Sequence, residues 1–276
     1  MPLAMTLRVE SLTIYPVKGA RGISVERAEV DVRGFVGDRR WMVVDPSGRF
    51  VTQREVPALA LVVPTIEPNG LSLTLPSPDS YSVSHPAEDA QRREVQVWRD
   101  HLLARDAGDG VAEFLSDHLE RSVRLVWMDD DVVRPVEVRE GTAGQQVSFA
   151  DGFSFLVVTS ASLDELNRRL DVPVPMDRFR PNLVIAGAEP DAEDTWYRYR
   201  IGTVTFTHVK PCGRCVVTTT NQQSLVRSAE PLRTLATYRK LGREVVFGQN
   251  AVHEGRGVVG VGDAVDVLEG RAAIPA

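Results

Sequence analysis

The sequence predicts an α+β protein that is mostly β: a β-barrel-like core with a few helices attached, plus a smaller β-rich part at the N-terminal end. Three observations carry this. The first hundred residues are short apolar and β-branched runs cut by Pro, Gly and Asn turns. Only three stretches repeat apolar residues at helical spacing. Strands and helices do not alternate regularly, which argues against a doubly wound sheet.

The elements follow in order. Leu7 to Val17 is apolar and β-branched, a strand stopped by Pro16 and Gly19. Arg40 to Val44 and Arg49 to Gln53 read as strands around Asp45-Pro46-Ser47-Gly48, a turn with Pro at its second position. Leu59 to Ile66 and Leu71 to Leu75 flank Pro68-Asn69-Gly70, and Asn-Gly between such runs signals a hairpin. Pro76 to Asp89, rich in proline and small polar residues, reads as an exposed connection. Val111 to Leu119 reads as a helix with Asp109 as N-cap. Ser162-Leu163-Asp164-Glu165 reads as a capping box, followed by Leu166 and Leu170 at helical spacing. Leu232, Leu235 and Tyr238 form a third stripe, which Pro231 opens and Gly242 closes. Val258 to Leu268 returns to strand. A boundary between residues 76–89 and Leu103 gives two domains, 1–100 and 101–276. The acidic stretch 129–140 is a second candidate boundary.

The chain of 276 residues is 43% hydrophobic, enough to build a sizeable core and to exclude bulk disorder. Its 32 Lys+Arg against 38 Asp+Glu give a net charge of -6, so a nucleic-acid coat or a binder of anionic membranes is not expected. Any anion site must be a local cluster. Nearly all the positive charge is arginine, which suits bidentate gripping of phosphate or carboxylate. No apolar run of membrane-spanning length and no secretory pattern at Met1 to Arg8 is visible, so the expected location is cytoplasmic.

Phosphate-loop, dinucleotide, His-Glu-x-x-His and nucleophile-elbow signatures are missing, and the five histidines are scattered. The sharp feature is Lys210-Pro-Cys-Gly-Arg-Cys215, which holds both cysteines. Four readings compete: a zinc half-site completed by His208 and His253, a redox dithiol, two structural thiols, or a reactive or metal-ligating sulfur. The cationic loop should lower a thiol pKa, and soft thiolates suit thiophilic metals. Two cysteines cannot hold an iron–sulfur cluster of the four-cysteine kind. Lys18, Arg39, Arg40, Arg178, Arg180, Lys210 and Arg214 lie at strand ends and loops, as a pocket for a dianion would need.

Taken together, these segments resemble the MOSC family, and within it the two-part members related to the mitochondrial amidoxime-reducing component. The resemblance runs from Ile14-Tyr-Pro-Val-Lys-Gly19 and Gly37-Asp-Arg-Arg-Trp41 through Asp151-Gly-Phe153, Phe179-Arg-Pro-Asn182 and Ala192-Glu-Asp-Thr-Trp196. It ends with Cys212-Gly-Arg-Cys215-Val-Val-Thr-Thr-Thr220, Glu230-Pro-Leu232 and Phe247-Gly-Gln249.

The resemblance implies a molybdenum cofactor with Cys215 as metal ligand and the residue on which catalysis rests, Cys212 lying nearby without ligating. It implies that Lys18, Gly19, Arg39, Asp151, Gly152, Phe153, Arg180 and Asn182 hold the phosphate and pterin. It implies reduction of N-hydroxylated compounds, with electrons from a separate ferredoxin or flavoprotein reductase. The alternative is a carrier of the cofactor, or of sulfur on Cys215, without turnover. A pyridoxal-phosphate enzyme is a weaker alternative, because the larger sulfurases of the family carry such a domain and this chain does not. Gly19 stands where some relatives have a small hydroxyl residue, and Gly152-Phe153 where they have Thr-Ser, so those contacts would be backbone only. Asn221-Gln222-Gln223 replaces an Asp-Pro-Asp-like run, so the loop beside the metal differs.

Overall fold

The computed structural model describes residues 6–77, 79–136 and 143–272. The chain opens with β1 (Arg8–Ile14), β2 (Val17–Lys18), β3 (Ile23–Val25), β4 (Arg27–Asp31), β5 (Gly34–Phe35) and β6 (Trp41–Val44). A 3-10 turn at Pro57–Leu61 leads to β7 (Val63–Glu67), β8 (Gly70–Thr74), β9 (Ser80–Ser84), β10 (Arg92–Val97) and β11 (Asp100–Asp106). Helix α1 (Asp109–Leu119) precedes β12 (Arg124–Trp127), and β13 (Phe155–Thr159) runs directly into α2 (Ser160–Asn167). Then come β14 (Leu183–Ala186), β15 (Trp196–Ile201), β16 (Val204–Gly213), the short α3 (Leu232–Leu235), β17 (Lys240–Leu241), β18 (Glu244–Glu254), β19 (Gly257–Gly260) and β20 (Val265–Gly270).

The fold is mostly β and of the α+β class. Among the described residues the ladders form four open sheets, not a closed barrel. The largest runs β20-β15-β16-β18-β13-β14-β1-β3, with β17 added to β18. All its pairings are antiparallel except β13 with β14. A second sheet runs β10-β11-β12-β6-β2, and two smaller ones are β19-β4-β5 and β7-β8-β9.

Burial explains the pairing. In β1, Val9, Leu12 and Ile14 are buried, and a register shift between Val9 and Ser11 moves the buried set from odd to even positions. These three pack with Phe155, Val157, Tyr199 and Phe206 of the large sheet. Burying such side chains contributes roughly 1.5–3 kcal/mol each, so the first strand is held by the C-terminal half of the chain. A second core joins Val17, Trp41, Leu59, Leu71 and Leu73 to Val111, Leu115 and Leu119 of α1. A division at residue 100 falls inside the β10–β11 hairpin, whose strands pair from Arg92↔Arg105 to Val97↔Asp100. It also separates β1 from its partner β14. The other candidate boundary, 129–140, falls partly outside the described residues.

Several elements differ from the sequence reading. Arg49 to Gln53 forms no named strand; Phe50 makes a single bridge to Val44, and Val51 N donates to Val43 O. Leu59 to Ile66 begins as the 3-10 turn before β7. The connection 76–89 contains β9, an edge strand in which Val83 alone is buried. The cap of α1 is Gly108, with φ +98°, and Asp109 pairs instead with Arg124. Helix α2 starts at Ser160 under a Thr159 cap: Thr159 Oγ1 accepts from Ser162 N at 3.2 Å, while Glu165 pairs with Arg168 and Arg169. Helix α3 ends at Leu235, and Gly242 makes the β17–β18 turn. Val258 to Leu268 is two strands, β19 and β20, separated by a turn.

Candidate functional site

Lys18 ends β2, and Gly19 turns the chain with φ +82°. A Cβ there would lie 2.6 Å from Leu59 Cδ2, so only glycine fits without displacement. Gly37, at φ +85°, leads into Arg39, which itself adopts a left-handed φ of +51°. On the other side, Arg180 follows the 3-10 turn Met176–Arg178 with φ +56° and leads through Pro181 to Asn182. Left-handed backbone at a bulky side chain costs on the order of 1–3 kcal/mol and persists where surroundings enforce it.

Between these turns, the 150–156 loop and the end of β16 lies a cleft of about 1030 Å³, open mouth included. Every site residue predicted from the sequence lines it: Lys18, Gly19, Arg39, Asp151, Gly152, Phe153, Arg180, Asn182 and Cys215. Arg178 and Arg214 line it as well. Arg40 and Lys210 do not; Arg40 turns to Met128 O and Asp130.

The polar groups of the cleft floor are tightly specified. Lys18 is buried, lies over the Phe50 ring at 5.2 Å and is ion-paired to Asp151. Burial lowers its pKa against the pull of Asp151. The exposed Asp151 carboxyl is held well below the usual range by Lys18, the Trp98 indole N–H at 3.0 Å and Arg39. Asn182 spends its whole amide on the protein. Its Nδ2 donates to Thr13 O at 3.1 Å and Asp38 Oδ1 at 3.2 Å. Its Oδ1 accepts from Arg39 Nη1 at 3.1 Å and Leu156 N at 3.3 Å. Asn182 therefore positions Arg39 and Asp38, which are themselves ion-paired.

Tyr15 is the buried support of this group. The Arg180 guanidinium lies 4.3 Å from its ring centroid and that of Arg39 4.6 Å. Its hydroxyl donates to Pro181 O at 3.1 Å. Burial pushes its pKa up to about 12, against the opposing pull of Arg180 and Arg39. Among the described residues Arg180 has no hydrogen-bond partner, so its donors are available to a ligand. Arg178 donates to Thr218 O at 3.1 Å and leaves its buried Nε unpaired.

Both cysteines are half-buried thiols on the cleft wall. Cys215 begins the 3-10 turn Val216–Thr219, and its carbonyl accepts from Thr218 Oγ1 at 2.9 Å. For Cys212 the expected lowering fails: burial pushes its thiol up, with Arg214 only partly opposing. Arg214 spends its guanidinium on Phe247 O and Phe179 O at 2.6–2.9 Å. The zinc half-site does not assemble. His208 Nδ1 bonds Glu193 O and Trp196 O, His253 Nε2 bonds Asp31 O, and neither histidine lines the cleft. The dithiol reading lacks its α-helix, since only a 3-10 turn follows Cys215.

Sequence reasoning missed Phe50, Gln53, Arg54 and Trp98 on the cleft wall. Gln53 and Gln222 exchange two amide hydrogen bonds of 3.0 Å across the two halves of the chain. The Asn221-Gln222-Gln223 run is thus part of a clasp between them.

Among the described residues, the cationic side chains lining the cleft are Lys18, Arg39, Arg54, Arg178, Arg180 and Arg214, and the one carboxylate is Asp151. In a chain of net charge -6 this is a strongly local anion site. With a soft sulfur at its edge, the donor set fits a phosphate-bearing cofactor whose metal takes one thiolate.

Comparison with known proteins identifies the family. The description MOSC N-terminal beta barrel domain matches residues 6–122, ending beyond α1, and MOSC domain matches residues 144–266. The chain is 33% identical over 277 residues to mitochondrial amidoxime-reducing component 1 of Xenopus laevis, covering 93% of this chain and 81% of that protein. It is 34% identical over 280 residues to the protein of the same name from Homo sapiens, covering 94% and 82%. It is 32% identical over 241 residues to mitochondrial amidoxime reducing component 2 of Homo sapiens, covering 84% and 72%. The chain belongs to the MOSC-domain family, with the mitochondrial amidoxime-reducing components among its relatives.

Proposed function

We propose that this chain is a molybdenum-cofactor-dependent reductase of N-hydroxylated compounds. The observation that supports it is the cleft in which Cys215 faces the same space as six cationic side chains and one carboxylate. When bound there, the cofactor would supply two-electron redox chemistry for an N–OH group.

The chain's own residues do the rest. Arg180, with no hydrogen-bond partner among the described residues, and the buried Lys18 oppose the charge of a phosphate. Arg39, fixed by Asp38 and Asn182, would hold the cofactor with them. Cys215 supplies the sulfur ligand, and Cys212, whose thiol burial pushes up, lies nearby without ligating. Gly152, around which a Cβ would meet nothing within 4 Å, leaves room beside Asp151. Each turnover takes two electrons and two protons, turning N–OH into N–H and water. A separate ferredoxin or flavoprotein reductase supplies the electrons.

The test is expression in a host that makes the cofactor, followed by elemental analysis and an amidoxime assay with an artificial reductant. The expected result is about one molybdenum per chain and turnover, both lost in Cys215→Ser and largely kept in Cys212→Ser. Molybdenum without turnover would instead support the carrier. Equal loss in both variants would support a dithiol, and absence of molybdenum would defeat both cofactor readings.

A further inference from the structure

The β10–β11 hairpin carries an unusual residue at its tip. Val97 pairs with Asp100, leaving Trp98 and Arg99 as the two turn residues. Trp98 has φ +56°, and Arg99 is not in the left-handed region. Positive φ at the first central residue alone is the pattern of a II′ turn, where glycine is the usual occupant. A bulky residue in that position is an outlier that the surroundings must enforce.

The surroundings place this indole at the cleft. Trp98 lines the cleft and is 37% exposed, whereas Trp41 and Trp196 are buried at 3% and 5%. Its N–H donates to Asp151 Oδ1 at 3.0 Å, the same oxygen that pairs with Lys18. Phe50 packs against it with ring centroids 5.0 Å apart, and the exposed Arg54 lies over it at 4.8 Å. The ring is therefore held by its edge and by one neighbour, with a surface side chain above it. A flat π system can slide between Arg54 and the indole, or displace Arg54, without disturbing the core.

We propose that Trp98 is a specificity-determining residue of the cleft, on which a flat aromatic N-hydroxylated substrate stacks, so that aromatic substrates bind more tightly than aliphatic ones. This rests on the reductase reading above. Stacking of a ring on an aromatic side chain is worth about 5- to 150-fold in affinity.

The test uses cofactor-loaded protein with benzamidoxime as the aromatic probe and acetamidoxime as the aliphatic one. Tryptophan fluorescence, which needs no turnover, should show saturable quenching by benzamidoxime and none by acetamidoxime. In Trp98→Leu and Trp98→Gly the quenching should vanish. KM for benzamidoxime should rise at least fivefold more than KM for acetamidoxime, because the loss of the Asp151 contact falls on both substrates alike. Trp98→Gly suits the turn, so retention of the wild-type melting temperature confirms that the fold survives. Unchanged discrimination in a folded Trp98 variant overturns the proposal and leaves the reductase reading standing. Quenching without any reduction keeps the stacking site and removes the reductase. Full quenching on cofactor loading, with no further response to benzamidoxime, assigns the indole to the pterin and overturns the substrate role.

Discussion

Asn182 Oδ1 accepts a hydrogen bond from Arg39 Nη1 at 3.1 Å, and so ties the segment before β14 to the loop before β6. The same amide holds Asp38 and the backbone of Thr13 and Leu156. Asn182→Ala leaves buried Asp38 and Arg39 short of a partner, at a cost of roughly 1–3 kcal/mol. Urea unfolding should show a lower midpoint with an unchanged slope. Cofactor affinity should fall as well, through the loss of Arg39's fixed position.

Arg180→Ala removes a side chain that makes no hydrogen bond to the described residues. Its effect should therefore fall on the ligand more than on the fold. A charge-assisted bond is worth about 1.5–3 kcal/mol, or roughly 10- to 150-fold in affinity. Cofactor content measured at limiting supply should drop accordingly, while the melting temperature stays close to wild type. Unchanged content would remove Arg180 from the phosphate site.

The two glycines of the site should behave oppositely. Gly19→Ala places a Cβ 2.6 Å from Leu59 Cδ2 at φ +82°, and should destabilise by about 1–3 kcal/mol. Gly152→Ala meets nothing within 4 Å and needs no left-handed backbone. It should be neutral or gain up to about 1 kcal/mol by restricting the unfolded chain. Calorimetry on the pair checks both.

His208 sets a pH dependence. Its Nδ1 faces the carbonyls of Glu193 and Trp196 at 3.0 and 3.1 Å, so that nitrogen carries the proton. Its Nε2 is buried without a partner. Burial, with Arg271 adding to it, lowers the pKa to about 3 from an ordinary 6.5. Between these values the unfolded chain binds a proton that the native state refuses. Stability should therefore fall as pH drops below about 6.5, by up to ~1.4 kcal/mol per unit from this group. His208→Gln should flatten the acid limb of a denaturant-midpoint profile; an unchanged limb would show that other groups control it.

The sequence made the β class legible because turn residues and β-branched runs act locally. The Asn69-Gly70 signal produced the β7–β8 hairpin, with Glu67 opposite Gly70. Strand β9 was hidden because one buried residue, Val83, is too little alternation to stand out between prolines. The helix caps were misplaced by one residue in α1 and three in α2: the chain turns into α1 at Gly108 with φ +98°, and Thr159 Oγ1 meets the free amide of Ser162. No local pattern could show β1 leaving its neighbours to pair with β14, since that choice rests on burial against distant residues.

The candidate site was legible to a different degree. Nine residues that the family resemblance implies line one cleft; of the seven cations read from strand ends and loops, Lys18, Arg39, Arg178, Arg180 and Arg214 line it and Arg40 and Lys210 do not. What the motifs could not reveal was the division of labour. Asn182 reads as a ligand group but is consumed by the protein, and Arg180 beside it is not. Trp98 was missed because nothing in Val97-Trp-Arg-Asp100 marks a turn.

The pairing of Leu12 with Leu183 has a consequence for the order in which the molecule is made. Strand β1 is synthesised well before β14, and its cover is completed only after β14 has emerged. Until then Val9, Leu12 and Ile14 travel without their native neighbours, exposed to other nascent chains. Closing so long a loop is a slow step. Refolding should therefore lag behind that of a circular permutant in which β1 follows the C-terminal half directly.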